Sequence, residues 1–282
     1  GEIYYLSINF EQMRLFHSFD GGLTWPTDTQ VVPNFYDKPW MTVDTTGGVG
    51  GGNIYITSPD RVFLRSSDKG LTFSSYPEPD GTGFTIAVGP DGSVWSMDAT
   101  FELHSSWREI RARSSHNAND GKAVPMFAPP AIITLAEYQM TDAGRTGSGL
   151  LGQPWIATDH SNGTTHGNIY AFAIAGTDPN YPDFVEDPFD VVFVRTTDGG
   201  KTWSTRLRVN DDPYSAGSMQ WFNTMSVAPN GRIDVAWNDT RNSGVPNVSE
   251  LYYTYSTDGG ETFALNIPVS PPFDTTVGFP FD

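Results

Sequence analysis

The segment Asn238-Asp239-Thr240-Arg241-Asn242 places a carboxylate and a guanidinium two residues apart, with an amide on either side. Such a pair can close on itself as an ion pair. It can also face outward, the aspartate to move a proton and the arginine to grip an anion through two parallel hydrogen bonds. Asp37 and Asp98 are further carboxylates in connecting segments, and Asp37, Asp98, Asp239 and Arg241 form the candidate catalytic set. A second pattern joins a polar residue to tryptophan where strands are expected to begin: Asp37-Lys38-Pro39-Trp40, Gln153-Pro154-Trp155 and Gln220-Trp221. Trp40, Trp155 and Trp221 offer flat faces that can stack on sugar rings, with Gln153 and Gln220 beside them to bond hydroxyls. The recurrence of Trp40 and Trp155 at equivalent places also fits residues that pack one structural repeat on the next, and that reading is preferred for those two.

The elements that must position these residues are announced by one short pattern, Ser/Thr-x-Asp-x-Gly-x-Thr-Trp/Phe. It occurs at Ser18–Trp25, Ser66–Phe73, Thr196–Trp203 and Ser256–Phe263. The aspartate (Asp20, Asp68, Asp198, Asp258) can accept hydrogen bonds from backbone N–H groups ahead of it, and the glycine two residues on (Gly22, Gly70, Gly200, Gly260) tolerates positive φ. The aromatic that closes each copy (Trp25, Phe73, Trp203, Phe263) anchors the turn in the packing below. Runs such as Asp190–Arg195 and Leu251–Tyr255 lead into these turns and read as strands.

A second recurring element is a strand, a turn of Gly, Asp or Asn, and another strand, as in Pro39–Ile56, Phe84–Trp95, Pro154–Tyr170 and Thr224–Trp237. Together the two make a four-stranded antiparallel meander in which the Asp turn joins the third and fourth strands. Asp20 and Asp68 are 48 residues apart and Asp198 and Asp258 are 60 apart, whereas Asp68 to Asp198 is 130, room for two units. The extra unit has Ser114–Lys122 in place of an intact Asp turn, a version widened by insertion. Repeats of this length predict an all-β fold, a β-propeller of four-stranded blades over residues 1–282. Five blades are expected at about 1–35, 36–80, 81–149, 150–212 and 213–273, with 274–282 opening a sixth. The first blade begins at its second strand, which suggests a processed or partial polypeptide. The nearest helix candidate, Ile132 to Met140, is short.

The turns resemble the Asp-boxes, or bacterial neuraminidase repeats, of the sialidase-like propellers, and the blade pattern extends the resemblance over most of residues 1–270. The resemblance implies a site on the face opposite the Asp turns, built from the second-to-third strand loops and the connections between blades. Asp20, Asp68, Asp198 and Asp258 are then structural and catalyse nothing. It implies three arginines on a substrate carboxylate, an aspartate acid/base and a Glu-activated tyrosine nucleophile, an exception to the two-carboxylate rule of glycosidases. The family's Phe-Arg-Ile-Pro motif is absent. Glu137-Tyr138 is the single adjacent Glu-Tyr pair, and neighbours on a strand point to opposite faces. Arg65 and Arg195 directly precede Asp turns and are read as surface or inter-blade contacts.

Composition bounds the rest. A formal charge of −17, from 33 acidic and 16 basic residues, argues against nucleic acid and anionic membranes. With no cysteine there is no disulfide, thiolate metal site or cysteine nucleophile. No apolar run is long enough to insert in a membrane. No metal site is assigned and no cofactor is required; calcium is conceivable at the turns after Asp44 and Asp159, where a solvated turn is preferred. Asn162, Asn238 and Asn247 open Asn-x-Ser/Thr tripeptides. The expectation is an extracellular or cell-surface propeller that engages carbohydrate or glycoprotein, with non-catalytic binding favoured over glycoside hydrolysis. Self-association in an extracellular assembly is the further alternative.

Overall fold

The computed structural model describes residues 1–8, 11–26, 30–32, 38–58, 60, 62–77, 82–99, 110–133, 138–139, 154–176, 189–213, 218–245 and 247–277. All regular structure among them is β. The first sheet is β1 (Ile3–Ile8), β2 (Met13–Ser18) and β3 (Gln30–Val32) in that order. The second is β4 (Trp40–Val43), β5 (Ile54–Ser58), β6 (Val62–Ser66) and β7 (Ser74–Pro77), again in chain order. The third contains β8 (Thr82–Val88), β9 (Val94–Ala99), β10 (Ile110–Ser115) and β11 (Ala131–Ile133). In the fourth, β12 (Tyr138–Gln139) and β13 (Trp155–Thr158) both pair with β14 (Ile169–Gly176), followed by β15 (Asp190–Thr196) and β16 (Leu207–Arg208). The fifth is β17 (Gln220–Val227), β18 (Ile233–Asp239), β19 (Val248–Ser256) and β20 (Ile267–Pro268), with β21 (Phe273–Asp274) also on β19. The segment read as the nearest helix candidate instead supplies β11 and β12.

Two compact units are distinguished: residues 1–98 with 113–129, and residues 99–112 with 130–282. In the first, Met13, Leu15, Ile54, Ile56 and Leu64 form one buried cluster and Tyr55, Phe63, Ile86, Val88 and Val94 another. In the second, a single cluster runs from Tyr170, Phe172 and Phe193 through Met225 and Val235 to Trp237 and Tyr252.

The Asp turns join β2 to β3, β6 to β7, β15 to β16 and β19 to β20, and each is closed by the same bonds. In the first, Ser18 Oγ donates to Asp20 Oδ1 at 2.8 Å and accepts from the Gly22 N–H at 2.9 Å. The Thr24 N–H donates to Asp20 Oδ1 at 2.9 Å and its hydroxyl to Oδ2 at 2.6 Å. The set repeats around Asp68, Asp198 and Asp258. The widened turn of the third sheet keeps the logic with asparagine in the aspartate's place. Ser115 Oγ donates to Asn117 Oδ1 at 3.0 Å, and the same oxygen accepts the N–H of Met126 at 2.8 Å.

Arginines placed directly before the turns link one repeat to the next. Arg65 donates to the carbonyls of Ala118, Asp120, Gly121 and Ala123, at 2.8 to 3.1 Å, and so clasps the widened turn. Arg195 donates to the Gly259 carbonyl at 2.8 Å and to Glu261 at 2.9 Å. The closing aromatics Phe73 and Phe263 pack on the clusters of their units, whereas Trp25 remains 40% exposed and bonds the Gly22 carbonyl of its own turn.

Hydrogen bonds to ionised carboxylates hold those carboxylates ionised in acid. The Thr24 hydroxyl, its N–H and Ser18 lower Asp20 to about 2, and the equivalent Thr202 and Thr196 groups lower Asp198 to about 2. At Asp258 burial works in the opposite direction and is outweighed by Thr262 and Ser256, leaving it also at about 2. These folded values lie below the unfolded one of about 3.9. The stabilisation is therefore complete above about pH 4 and is lost as pH falls through about 2. Thermal melts between pH 4 and pH 2 are expected to fall more steeply for the wild type than for Asp258→Asn, which has no charge to lose at that turn. Parallel slopes would contradict this role.

Candidate functional site

The fifth sheet carries a polar site at the end opposite its Asp turn. There β18 ends at Asp239, a bend follows, and the chain returns as β19. Antiparallel register sets Asp239 directly across from Glu250, so two carboxylates from neighbouring strands share one edge of the sheet. Both line a recess of about 150 Å³, together with Asn242, Ser243, Val245, Val248 and Pro272. The apolar wall comes from the two valines and the proline, and the polar wall from the carboxylates, the amide and the hydroxyl.

Asp239 is 1% exposed and heavily bonded. Its Oδ1 accepts the Arg241 N–H at 2.8 Å, a local turn that the two-residue spacing makes possible. Its Oδ2 accepts from Arg241 Nε at 2.9 Å and Nη2 at 2.8 Å, Trp237 Nε1 at 2.9 Å and Gln220 Nε2 at 3.2 Å. Arg241 in turn donates from Nη1 to Asp211 at 2.5 Å and from Nη2 to Asn266 at 3.3 Å, and its guanidinium lies 4.3 Å from the Tyr252 ring centroid. Burial works against the guanidinium's charge, yet Asp239, Asp211 and Asp212 raise its pKa above the ordinary arginine value. Asn242 completes the recess by donating to Glu250 at 2.7 Å and to the Tyr252 hydroxyl at 2.6 Å.

A second arginine extends the network away from the recess. Arg208 on β16 pairs with Asp190 at the start of β15 and with Asp212. Asp212 also accepts from Asn210 at 2.7 Å and from Ser218, and Asn210 reaches Gln220 at 3.2 Å. Four aspartates (190, 211, 212 and 239) thus surround two arginines, leaving a formal charge of −2 from −4 and +2. Both guanidiniums are engaged by carboxylates of the chain. Of the two recess carboxylates, Asp239 is buried and already bonded through both oxygens, whereas Glu250 accepts one bond, from Asn242, and keeps capacity to accept from a hydroxyl; neither arginine is turned out to meet a ligand anion.

Of the candidate residues, Asp239, Arg241 and Gln220 come together in this network. Trp221 is buried and donates from Nε1 to Ser249 at 2.9 Å. Trp40 packs beside Tyr55, Phe63 and Ile86 in the first unit, and Trp155 packs on the main cluster of the second. Asp98 lies in β9 with its side chain outside the described residues, and Asp37, Gln153 and the Glu of Glu137-Tyr138 are also outside them. Glu250, Asn242, Asp211, Asp212, Arg208 and Asn266 join the site without having been singled out by sequence; the adjacent pair Asp211-Asp212 was the visible signal. Asp44 and Asp159 bond their own turns, Asp44 Oδ1 accepting the Thr46 N–H at 2.8 Å and Asp159 Oδ1 the Ser161 N–H at 2.7 Å. Among the described residues, no three His, Asp or Glu side chains are grouped so as to hold a metal ion. No helix is long and apolar enough to cross a membrane, among the described residues.

Comparison with known proteins agrees with the repeat. Residues 194–205 match the family model of the BNR/Asp-box repeat. No curated protein matches the chain in sequence. Among solved structures, the chain is similar to an α-L-arabinanase of Penicillium chrysogenum complexed with arabinobiose, with a TM-score of 0.52 and 15% identity over 84% of this chain and 65% of the other. An α-L-arabinofuranosidase of Fusarium graminearum gives 0.53 and 14% over 86% and 67%. A leech intramolecular trans-sialidase gives 0.51 and 13% over 94% and 36%. The chain therefore spans 65% of the length of the arabinanase and about a third of the trans-sialidase. The fold and repeat are those of the sialidase-like β-propellers with Asp-boxes.

Proposed function

We propose that this chain is part of an extracellular six-bladed propeller that recognises neutral carbohydrate in the recess between β18 and β19, without hydrolysing it. The observation that carries the reading is the recess itself: Asp239 and Glu250 stand across from each other beside Asn242, while Arg241 is committed to Asp239, Asp211 and Asn266. Glu250 and Asn242 can bond sugar hydroxyls while the buried Asp239 fixes the recess through Arg241, and the valines and proline supply the apolar wall that a sugar's C–H face needs. An anionic sugar would enter beside two carboxylates with no arginine released to meet it, on a chain of formal charge −17. The similarity to an arabinanase, an arabinofuranosidase and a trans-sialidase supports carbohydrate as the ligand class.

The volume of about 150 Å³ suits one sugar ring. Catalysis is disfavoured because Asp239 already accepts several donors and Glu250 is held by Asn242. No cofactor is needed for this role. The test is release of a chromogenic aglycone from an α-L-arabinofuranoside and from a sialoside. No turnover is expected from either substrate. Turnover that disappears in Asp239→Asn or Glu250→Gln would overturn the binding-only reading in favour of a glycoside hydrolase.

A further inference from the structure

In the first unit, the turns at the Asp-turn end of the sheets carry apolar side chains at their tips. Phe19 and Leu23 lie in the turn after β2, Val49 in the turn after β4, Leu71 in the turn after β6 and Val124 in the widened turn after β10. All five are between 64% and 84% exposed. Single hydrophobic residues scattered over a surface need no explanation, but five on adjoining turns do.

The turns adjoin through their backbones and short side chains. Lys69, beside Leu71, donates to Glu2 at 3.0 Å, and the first turn is tied to the same terminal segment by the Gly21 N–H, which donates to the Gly1 carbonyl at 2.9 Å. A Cβ added to Gly50, next to Val49, would lie 2.8 Å from Asn119 of the widened turn, and one added to Gly121 would lie 2.8 Å from Ser67. The tips therefore share one end of the unit.

The fold does not ask for leucine at these tips. Leu23 and Leu71 stand between the glycine and the threonine of the repeat, where the Asp turns of the second unit have Lys201 and Glu261, and all four side chains are exposed. The same turn closes with either kind of residue. Charge at the apolar end is one-sided. Glu2 and Lys69 pair with each other, and Asp91 reaches the widened turn through His116 at 3.8 Å. Besides the buried Asp44, the turns then hold Asp20, Asp68, Asp91 and Asp120 against Lys122, a formal −3 from −4 and +1. Such a surface repels a second copy of an acidic chain, and it favours a partner that brings cationic groups along with apolar ones.

We infer that the Asp-turn end of the first unit docks a cationic, apolar segment of a partner polypeptide. Aliphatic side chains of the partner cover Phe19, Leu23, Val49, Leu71 and Val124, and its ammonium or guanidinium groups meet the aspartates between them. The five tips expose apolar area on the order of 600 Å², the upper end of what a monomer ordinarily shows in one patch. This surface belongs to the first unit and the sugar recess to the second.

Fluorescence anisotropy of the intact chain with a labelled peptide of alternating leucine and lysine tests this, against peptides of serine with lysine and of leucine with glutamate. The leucine-lysine peptide is expected to bind saturably, and the other two about tenfold more weakly or less. In the double variant Leu23→Ser, Leu71→Ser, two tips become polar with no change of charge, and the affinity should fall by about tenfold or more. Leu265→Ser, at a leucine of the second unit that is 80% exposed, should bind as the wild type does. Equal binding of the serine-lysine or leucine-glutamate peptide, an unchanged affinity in the double variant, or no binding at all would overturn the proposal. A dimer of the wild type in sedimentation that the double variant abolishes would overturn the cationic partner in favour of a second copy.

Discussion

Arg241→Ala is expected to lower the melting temperature by roughly 10 °C, the largest effect of any single charge removal in the second unit. The substitution leaves Asp239, at 1% exposure, buried without its cation. Breaking a buried pair by removing one partner costs about 3–5 kcal/mol, and about 2–4 °C accompanies each kcal/mol in a domain of 150–250 residues. Asp211 and Asn266 lose the same donor group, and Tyr252 loses the cation over its ring. Arg241→Lys should recover only part of the loss, because a single ammonium cannot reproduce a planar fork that bonds Asp239, Asp211 and Asn266 at once. Calorimetric melts of the two variants measure this. An Arg241→Ala protein that melts with the wild type would mean the guanidinium is dispensable to the fold and free to serve a ligand.

Gly260→Ala should cost a further large amount, on the order of 3–5 kcal/mol, by a different mechanism. Gly260 has φ of +81°, and a Cβ there would be driven into the ring of Phe193, itself 1% exposed in the main cluster. Phe193 is bracketed by Tyr170 and Phe263, with centroids at 5.7 and 5.2 Å, so it has little room to retreat. Gly199→Ala is the control. Its φ of +72° carries the same conformational penalty, but nothing lies within 4 Å of the added Cβ. It should cost about 1 kcal/mol. Urea midpoints of the two variants separate conformational strain from collision, and equal midpoints would contradict the packing role assigned to Gly260. Lys69 supports the distinction, since it occupies the position equivalent to Gly199 with φ of +59° and is tolerated beside an ion pair to Glu2.

How much of this was legible in the sequence depended on how local each interaction is. The Asp turns were readable because every bond that closes them spans four residues or fewer, and because Arg65 and Arg195 stand directly before them. The turn around Asn117 was readable only as a suspicion: asparagine replaces aspartate, and the N–H that closes the turn moves out to Met126. Asp239 and Arg241 could be paired from their spacing, since the aspartate bonds the N–H two residues ahead. Glu250 could not be, because its place across from Asp239 depends on the register of β18 with β19. Asp211 and Asp212 reach Arg241 from the connection before β17, a contact that only the packed sheets create. The shift of register between β17 and β18 after Trp221, with Phe222 at a φ of +57°, gave no signal at all, as no glycine or asparagine marks the left-handed residue. Trp221, expected at a ligand surface, is turned into the interior by its bond to Ser249.

The central claim is that the recess beside Asp239 and Glu250 receives a neutral sugar. The most direct measurement is methyl-resolved NMR of the chain during titration with arabinobiose and, separately, with 3′-sialyllactose. The account predicts that arabinobiose shifts the methyl resonances of Val245 and Val248 in a saturable way while sialyllactose leaves them in place. Saturable shifts of those methyls with sialyllactose, or none with the neutral sugar, would contradict it.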